Sequence, residues 1–340
     1  MSGMAGPWGT VPDAPPPAPA SINATDFLSA QRANRRNTWL LILILLLLGG
    51  AIGNLGGALI EPHSGPYSDA GLIALSPLGV IGGGGLIAIG LGASAMTFAF
   101  GDRVILGLAG AREVDVDSEP MLHNVVEEMA IAAGLPKPRV AVIETDVPNA
   151  FATGMDPKNA AIGVTRGLLQ KLNREELQGV IGHEMGHIAN WDIRYMTAVA
   201  ILVGLIALVC DVARRMLWFG GGARRGDRKS GGNAILLVIF LVLAVLAPIA
   251  AQLVRFAVSR QREYLADATS VRLTRNPLGL IGALEKLAAE QRPFDGANRA
   301  TQHMFIVNPF KAFGLDSSAL LSTHPPLEQR IERLRNLGII

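Results

Sequence analysis

Between Thr38 and Ile60 the chain carries no Asp, Glu, Lys or Arg. A run of that length, once helical, matches the hydrocarbon thickness of a bilayer. In lipid, every backbone N–H and C=O must find its partner within the segment or in a closed barrel. This stretch is therefore expected to form a membrane-spanning helix. Gly71 to Gly101 is also uncharged, and its later part, from about Leu78 to Phe100, is the portion expected to span. Thr197 to Cys210 is a shorter apolar run, and Ala234 to Val254 a full-length one with Pro248 as an expected kink. About four transmembrane or membrane-inserted helices are expected. The composition agrees: 50% hydrophobic and 17% charged residues make the chain too apolar for an ordinary soluble enzyme.

Orientation follows from the basic flanks. Arg32, Arg35 and Arg36 precede the first run, whereas the loop "EPHSGPYSDA" has no Lys or Arg. The N-terminus is thus expected in the cytoplasm, with the chain returning there at Asp102 and Arg103. The loop between the second pair of runs breaks the rule, since it carries Arg214, Arg215, Arg224, Arg225, Arg228 and Lys229. Two arrangements stay open: two full crossings against the charge rule, which we prefer, or a hairpin that enters the membrane without crossing it. The expected organisation is a disordered Pro/Ala-rich tail over 1–35 and a two-helix anchor over 36–101. A first part of a cytoplasmic domain (102–196), an apolar hairpin (197–257) and a second part of that domain (258–340) follow. The tail contains "DAPPPAPA", which cannot bury a core. It is not a signal peptide, because the apolar run after it starts too late and continues too long.

The soluble part reads as mainly α with a small β-sheet. Met121–Ala132 has helical spacing, stopped by Gly134 and Pro136. "RVAVIET" reads as a strand, and "PNAFATG" followed by "NAAIGVT" as a turn and a second strand. "LNREELQGVIGHEMGHIA" reads as a helix with Asn173 as N-cap and Glu176 three residues on. It is expected to continue toward the bilayer. The net charge of +2 argues for neither a nucleic-acid face nor an acidic substrate. The single cysteine, Cys210, excludes a disulfide framework and a Cys-rich metal site. A metal here must be held by histidine and carboxylate.

In "HEMGH", His183 and His187 lie four apart, one turn apart on one helical face, where both imidazoles can reach one ion. Glu184 is rotated about 100° from His183 and can sit beside the open metal position as a general base. Zinc with three protein ligands keeps its fourth place for a water. The competing reading is a chance match, against which the capped, apolar helix around the motif weighs. No third histidine follows His187 closely. Of Glu263, Glu285, Glu290, Glu328 and Glu332, Glu263 is the best third ligand, because the apolar hairpin can return it beside the first helix. The competing reading is a surface ion pair with Arg260 or Arg262. Asp267, one turn after Glu263, can accept a hydrogen bond from the other ring nitrogen of a metal-bound histidine.

"HEMGH", "SRQREYLADA", "PNAFATG" and "STHPPLEQRI" occur here in the order seen in the HtpX family of membrane-bound zinc metalloproteases. The chain resembles that family over about residues 36–336, and more distantly resembles the CAAX prenyl endopeptidases. The resemblance implies a gluzincin-type domain with one zinc ion at His183, His187 and Glu263 and with Glu184 as base. It implies a multi-pass protein of the bacterial inner membrane with a cytoplasmic active site, cleaving misfolded or damaged membrane proteins under stress. It further suggests that His324 steadies the oxyanion. Asn149 and the strand around Ala160–Thr165 are then expected to bind substrate backbone by strand addition. A plain turn role competes for Asn149, and a capping role for His324. His63, His123 and His303 read as structural or surface residues. The partners expected are protein or peptide substrates and the lipid bilayer, with no nucleic acid. Two other functions compete: processing of lipidated peptides, and a non-catalytic membrane scaffold. The scaffold has no need of Glu184.

Overall fold

A computed structural model describes residues 24–60, 77–220, 246, 249, 259–290, 292, 301–307 and 325–337. Helices α1 (Ala24–Ile60) and α2 (Pro77–Leu108) lie against each other. Leu28–Leu55 and Pro77–Leu108 are long and apolar enough to cross a membrane. Leu43, Ile44, Leu47, Ile81, Ile89 and Leu91 all face outward. Apolar association gains little in lipid, so close backbone approach must hold such a pair. Glycines permit it here: a Cβ on Gly53 would stand 2.4 Å from the Gly82 carbonyl oxygen, and one on Gly57 2.3 Å from that of Leu78.

Both anchor boundaries differ from expectation. Helix α1 starts at Ala24, so residues 24–35 are not part of a disordered tail. The side chains of Gln31 and Asn34 dock this first part on the domain. Helix α2 continues past Asp102 and Arg103 to Leu108. Asp102 pairs with Arg139, and Ile105 and Leu106 are buried in the core, so the helix end belongs to the domain.

The sheet has four strands, β1 (Ala111–Glu113), β2 (Arg139–Ile143), β3 (Ala150–Thr153) and β4 (Ala161–Thr165), in the order β1-β2-β4-β3. β2 and β4 are parallel, and the other two pairs antiparallel. "PNAFATG", expected as a turn, carries strand β3, all of whose residues are buried. β4 is an interior strand with β2 and β3 on either side, so strand addition at Ala160–Thr165 is excluded. Among the described strands β1 and β3 lie at the two edges. The segment 305–307 already covers part of the β3 edge, where the Ile306 N–H donates to the Ala150 carbonyl at 2.9 Å.

Around the sheet stand α3 (Pro120–Ala133), a 3-10 turn (Pro157–Asn159), α4 (Arg166–Lys171), α5 (Arg174–Ala189) and α6 (Asp192–Gly220). After them come α7 (Arg260–Thr274), α8 (Pro277–Ala288) and α9 (Leu327–Leu337). One core joins Val125 and Val126 of α3, Val140 and Val142 of β2, Ile162 of β4, Leu177 and Ile181 of α5, and Leu280 of α8.

The helix bearing "HEMGH" ends at Ala189 and does not run on as one straight helix into the apolar segment. It breaks at Trp191, whose φ is 61°, and α6 leaves at 84° to α5. α6 begins at Asp192, so the expected boundary at 196/197 falls inside one helix that also runs past Cys210 to Gly220. Taken together, α5 and α6 qualify as one broken or re-entrant span. Val199, Val203 and Ile206 of α6 pack with Leu41 of α1. Of the run Ala234–Val254, only Leu246 and Ile249 are among the described residues, and both pack against that cluster.

Replacing Gly53 by Leu should separate α1 from α2 and lower the melting temperature in detergent. Gly92→Leu, where a Cβ meets nothing within 4 Å, should have a much smaller effect. Equal melting temperatures would remove the glycine contact as a source of stability.

Candidate metal centre

Helix α5 is fixed at its start by a capping box. The Asn173 side chain accepts from the Glu176 N–H at 2.9 Å, and Glu176 accepts from the Asn173 N–H at 2.8 Å. From Gly179 to Ile188 the helix is buried on all sides. Gly179, Gly182 and Gly186 let its neighbours close in. A Cβ on Gly186 would sit 3.0 Å from the Ala266 Cα of α7, and one on Gly179 2.5 Å from the Leu280 nitrogen of α8. Ser270 of α7 donates to the freed Gly179 carbonyl at 2.6 Å.

This approach carries Glu263 to the histidine pair. Its carboxylate oxygens stand 3.8 Å from His183 Nε2 and 3.6 Å from His187 Nε2. The two rings are 4.8 Å apart at 88°. One ligand atom from each of the three residues lies within 4.8 Å of the others. Tetrahedral zinc with bonds of about 2.0–2.2 Å would place its ligand atoms about 3.3 Å apart. The donor set suits a cation in another respect. His183 Nε2 and both Glu184 carboxylate oxygens are buried without a hydrogen-bond partner among the described residues. Glu263 is 4% exposed and faces the histidines, which removes the surface ion-pair reading.

The other ring nitrogens are held by carboxylates. His183 Nδ1 lies 2.8 Å from Asp267, and His187 Nδ1 lies 2.9 Å from Asp192. Such bonds orient each ring and leave Nε2 as the electron donor. Asp192 escapes the sequence reading because only the break at Trp191 turns it back toward His187.

Arg330 was missed as well. It is fully buried, and its Nε and Nη2 donate to Asp267 at 2.9 and 2.6 Å. Its Nη1 lies 3.5 Å from Glu263. A signal existed: Leu327, Arg330 and Leu334 share one face of α9, and all three are buried.

Charge follows this geometry. Burial pushes the Glu184 carboxyl up to about 7, and the nearby Glu263 adds to the effect. Burial and the Arg330 guanidinium lower the His183 pKa, favouring the neutral, ligating form. His187 is raised to about 9 despite its burial, because Asp192 and Glu263 favour the cation. Asp267, although buried, is held well below the usual carboxylate range by Arg330 and His183.

Asn149 is 2% exposed, and its side chain donates to the Val307 carbonyl at 2.9 Å and accepts from the Ala150 N–H at 3.1 Å. It secures the covered part of the β3 edge. His324 and His63 lie outside the described residues. His123 and His303 are buried, with Nε2 against the carbonyls of Val114 and Met196. Glu285 pairs with Arg335, and Glu290 with Lys171 and Arg292, away from the centre.

Comparison with known proteins places this arrangement. Residues 117–338 match the profile of peptidase family M48. A protease HtpX homolog of Caldanaerobacter subterraneus subsp. tengcongensis is 54% identical over 239 residues, covering 70% of this chain and 79% of the relative. One from Streptococcus gordonii is 44% identical over 309 residues, covering 90% and 98%. One from Pyrococcus furiosus is 47% identical over 266 residues, covering 76% and 89%.

Arg330→Met should leave Asp267 and Glu263 buried without their cation. The expected loss of stability in the metal-free protein is about 3–5 kcal/mol, measured by chemical denaturation. Adding Asp267→Asn should restore part of it. A single variant as stable as the parent would show that the guanidinium does not hold these carboxylates.

Proposed function

The chain belongs to peptidase family M48, whose members it resembles as a membrane metalloendopeptidase, and we propose that its metal is zinc and its substrates are misfolded or damaged membrane proteins. The observation that carries the reading is the buried set His183, His187 and Glu263 with Glu184 beside it. This donor set belongs to the glutamate-ligand class of zinc peptidases. Zinc, when bound there, would polarise the scissile carbonyl and lower the pKa of a water.

The chain's own residues supply the rest. Glu184 takes the proton from the attacking water and passes it to the departing amine. Its burial favours this shuttle, since a carboxyl near pKa 7 both accepts and returns a proton at neutral pH. Asp267 and Asp192 hold the two imidazoles in the ligating tautomer. The substrate backbone pairs with the uncovered part of the β3 edge. In the antiparallel pair with β4, the Asn149 carbonyl accepts from the Thr165 N–H, so by alternation Ala150 and Ala152 present their backbone groups to the other side. Segment 305–307 takes up the Ala150 carbonyl, and the Ala152 backbone N–H points to the Glu184 carboxylate, which puts a substrate strand at the catalytic end of this edge. His324 donates a hydrogen bond to the developing oxyanion. Support for that role is its position in sequence shortly before α9, whose Arg330 contacts Asp267.

The site faces the cytoplasm of a bacterial inner membrane, multi-pass through α1, α2 and the later apolar runs. The basic residues Arg32, Arg35 and Arg36 before the first span support this orientation.

Glu184→Gln should retain the metal and lose cleavage of an unfolded membrane substrate by about 10²–10⁴-fold. Cleavage by that variant at the parental rate would remove Glu184 from the base role. For orientation, a cysteine at exposed Asp117, in a Cys210→Ser background, should react with a membrane-impermeant maleimide in inverted vesicles and stay unlabelled in intact spheroplasts. The opposite pattern would put the domain outside.

A further inference from the structure

Asn34 belongs to α1, the first membrane helix, yet it is 2% exposed and bonded to the break after the catalytic helix. Its Nδ2 donates to the Asn190 carbonyl at 3.1 Å and to Asp192 Oδ1 at 2.6 Å. The other oxygen of Asp192 accepts from His187 Nδ1 at 2.9 Å. A line of two hydrogen bonds thus runs from the membrane anchor through Asp192 to a metal-ligating ring. Resting on the metallopeptidase reading above, we propose that α1 is a working part of the metal centre and that Asn34 is a positioning residue for His187.

Three features of the contact bear on this. The last carbonyls of a helix lack intrahelical donors. The α5 carbonyls of Ala189 and Asn190 receive side-chain amides from Gln31, at 2.7 Å, and from Asn34. α1 therefore caps the helix that holds both histidines. Next, Trp191 adopts a left-handed conformation that costs a bulky residue about 1–3 kcal/mol and persists only when its surroundings fix it. Arg35 of α1 lies 5.2 Å above its indole ring, and Arg194 of α6 lies 4.5 Å from it. Finally, Asp192 is fully buried, and a buried carboxylate is held in place by the donors around it. Arg262 Nε stands 3.9 Å from the same oxygen that Asn34 binds and contributes charge at longer range. Asn34 supplies a short, directional bond and fixes which way the carboxylate plane faces.

The consequence is a coupling between anchoring and metal binding. Outer partners of metal-bound histidines are typically worth 10–100-fold in metal affinity. Asn34 acts one bond further out, so its loss should weaken zinc binding by about tenfold.

The test uses the full chain in detergent micelles, with zinc affinity measured by competition against a chromophoric chelator and folding followed by thermal melting. Asn34→Leu keeps the branched shape of the side chain and removes both N–H donors. Arg35→Ala serves as control, since it weakens docking at Trp191 without touching Asp192. Expected is an affinity about tenfold weaker for Asn34→Leu, unchanged for Arg35→Ala, and no weaker in Asn34→Leu/Asp192→Asn than in Asp192→Asn alone. If Asn34→Leu does not fold, Asn34→Ser, which is too short to span the bond, takes its place. Parental affinity in the Asn34 variant, or an equal loss in Arg35→Ala, would overturn the positioning role. A parent chain that binds no zinc would instead overturn the zinc reading itself, before any variant is compared.

Discussion

Four carboxyl groups, Glu184, Asp192, Glu263 and Asp267, are buried around two imidazoles, and one buried guanidinium, that of Arg330, faces them. Burying charge without compensation is among the most costly things a fold can do. Each group here has its own answer. Asp267 has Arg330 and His183, Asp192 has His187 and Asn34, and Glu263 approaches Arg330 and both histidines. Burial pushes the Glu184 carboxyl up to about 7, and neither of its oxygens has a side-chain hydrogen-bond partner among the described residues. Among the described residues His183 Nε2 is left without a hydrogen-bond partner, and together with His187 and Glu263 it forms a set that could hold a metal ion.

Bringing so many charged side chains together requires backbones to come close. Gly179, Gly182 and Gly186 strip one face of α5 of side chains, and α7 and α8 settle directly on it. The lost side-chain contacts are replaced by the Ser270 bond to the Gly179 carbonyl and by apolar packing at Leu280 and Leu284. A similar device joins α1 to α2 at Gly53, Gly57 and Gly82, where no water is present to drive association. Glycine thus sets both the width of the metal centre and the geometry of the anchor. In helix interiors it is otherwise unfavourable.

The anchor and the domain are also continuous in a way that a division into separate parts does not convey. Helix α2 ends inside the core, α6 begins beside the metal ligands and packs against α1, and α1 caps α5. Thr197 of α6 binds Thr153 and the Gly154 N–H at the end of edge strand β3, tying that strand to the same apolar helix.

Local periodicity made several features legible. Uncharged runs identified two helices able to span a membrane, the i, i+4 spacing put His183 and His187 on one face, and the Asn173–Glu176 spacing marked a capping box. The spacing of Glu263 and Asp267 by one turn was equally readable. Strand β3 was not, because its buried residues show no alternation and resemble a turn in composition. Asp192, Arg330 and Asn34 were hidden for a common reason. Each gains its role from a contact across a helix break or between distant segments: the reversal at Trp191, the docking of α9, and the docking of α1. The sequence by itself determined two helices apolar enough to span a membrane, the histidine pair and the glutamate beside it, since these depend on spacing within one helix. Only the tertiary structure decided which charges hold those ligands, because compensation of buried charge is settled by whatever side chains the packed helices bring within hydrogen-bond reach.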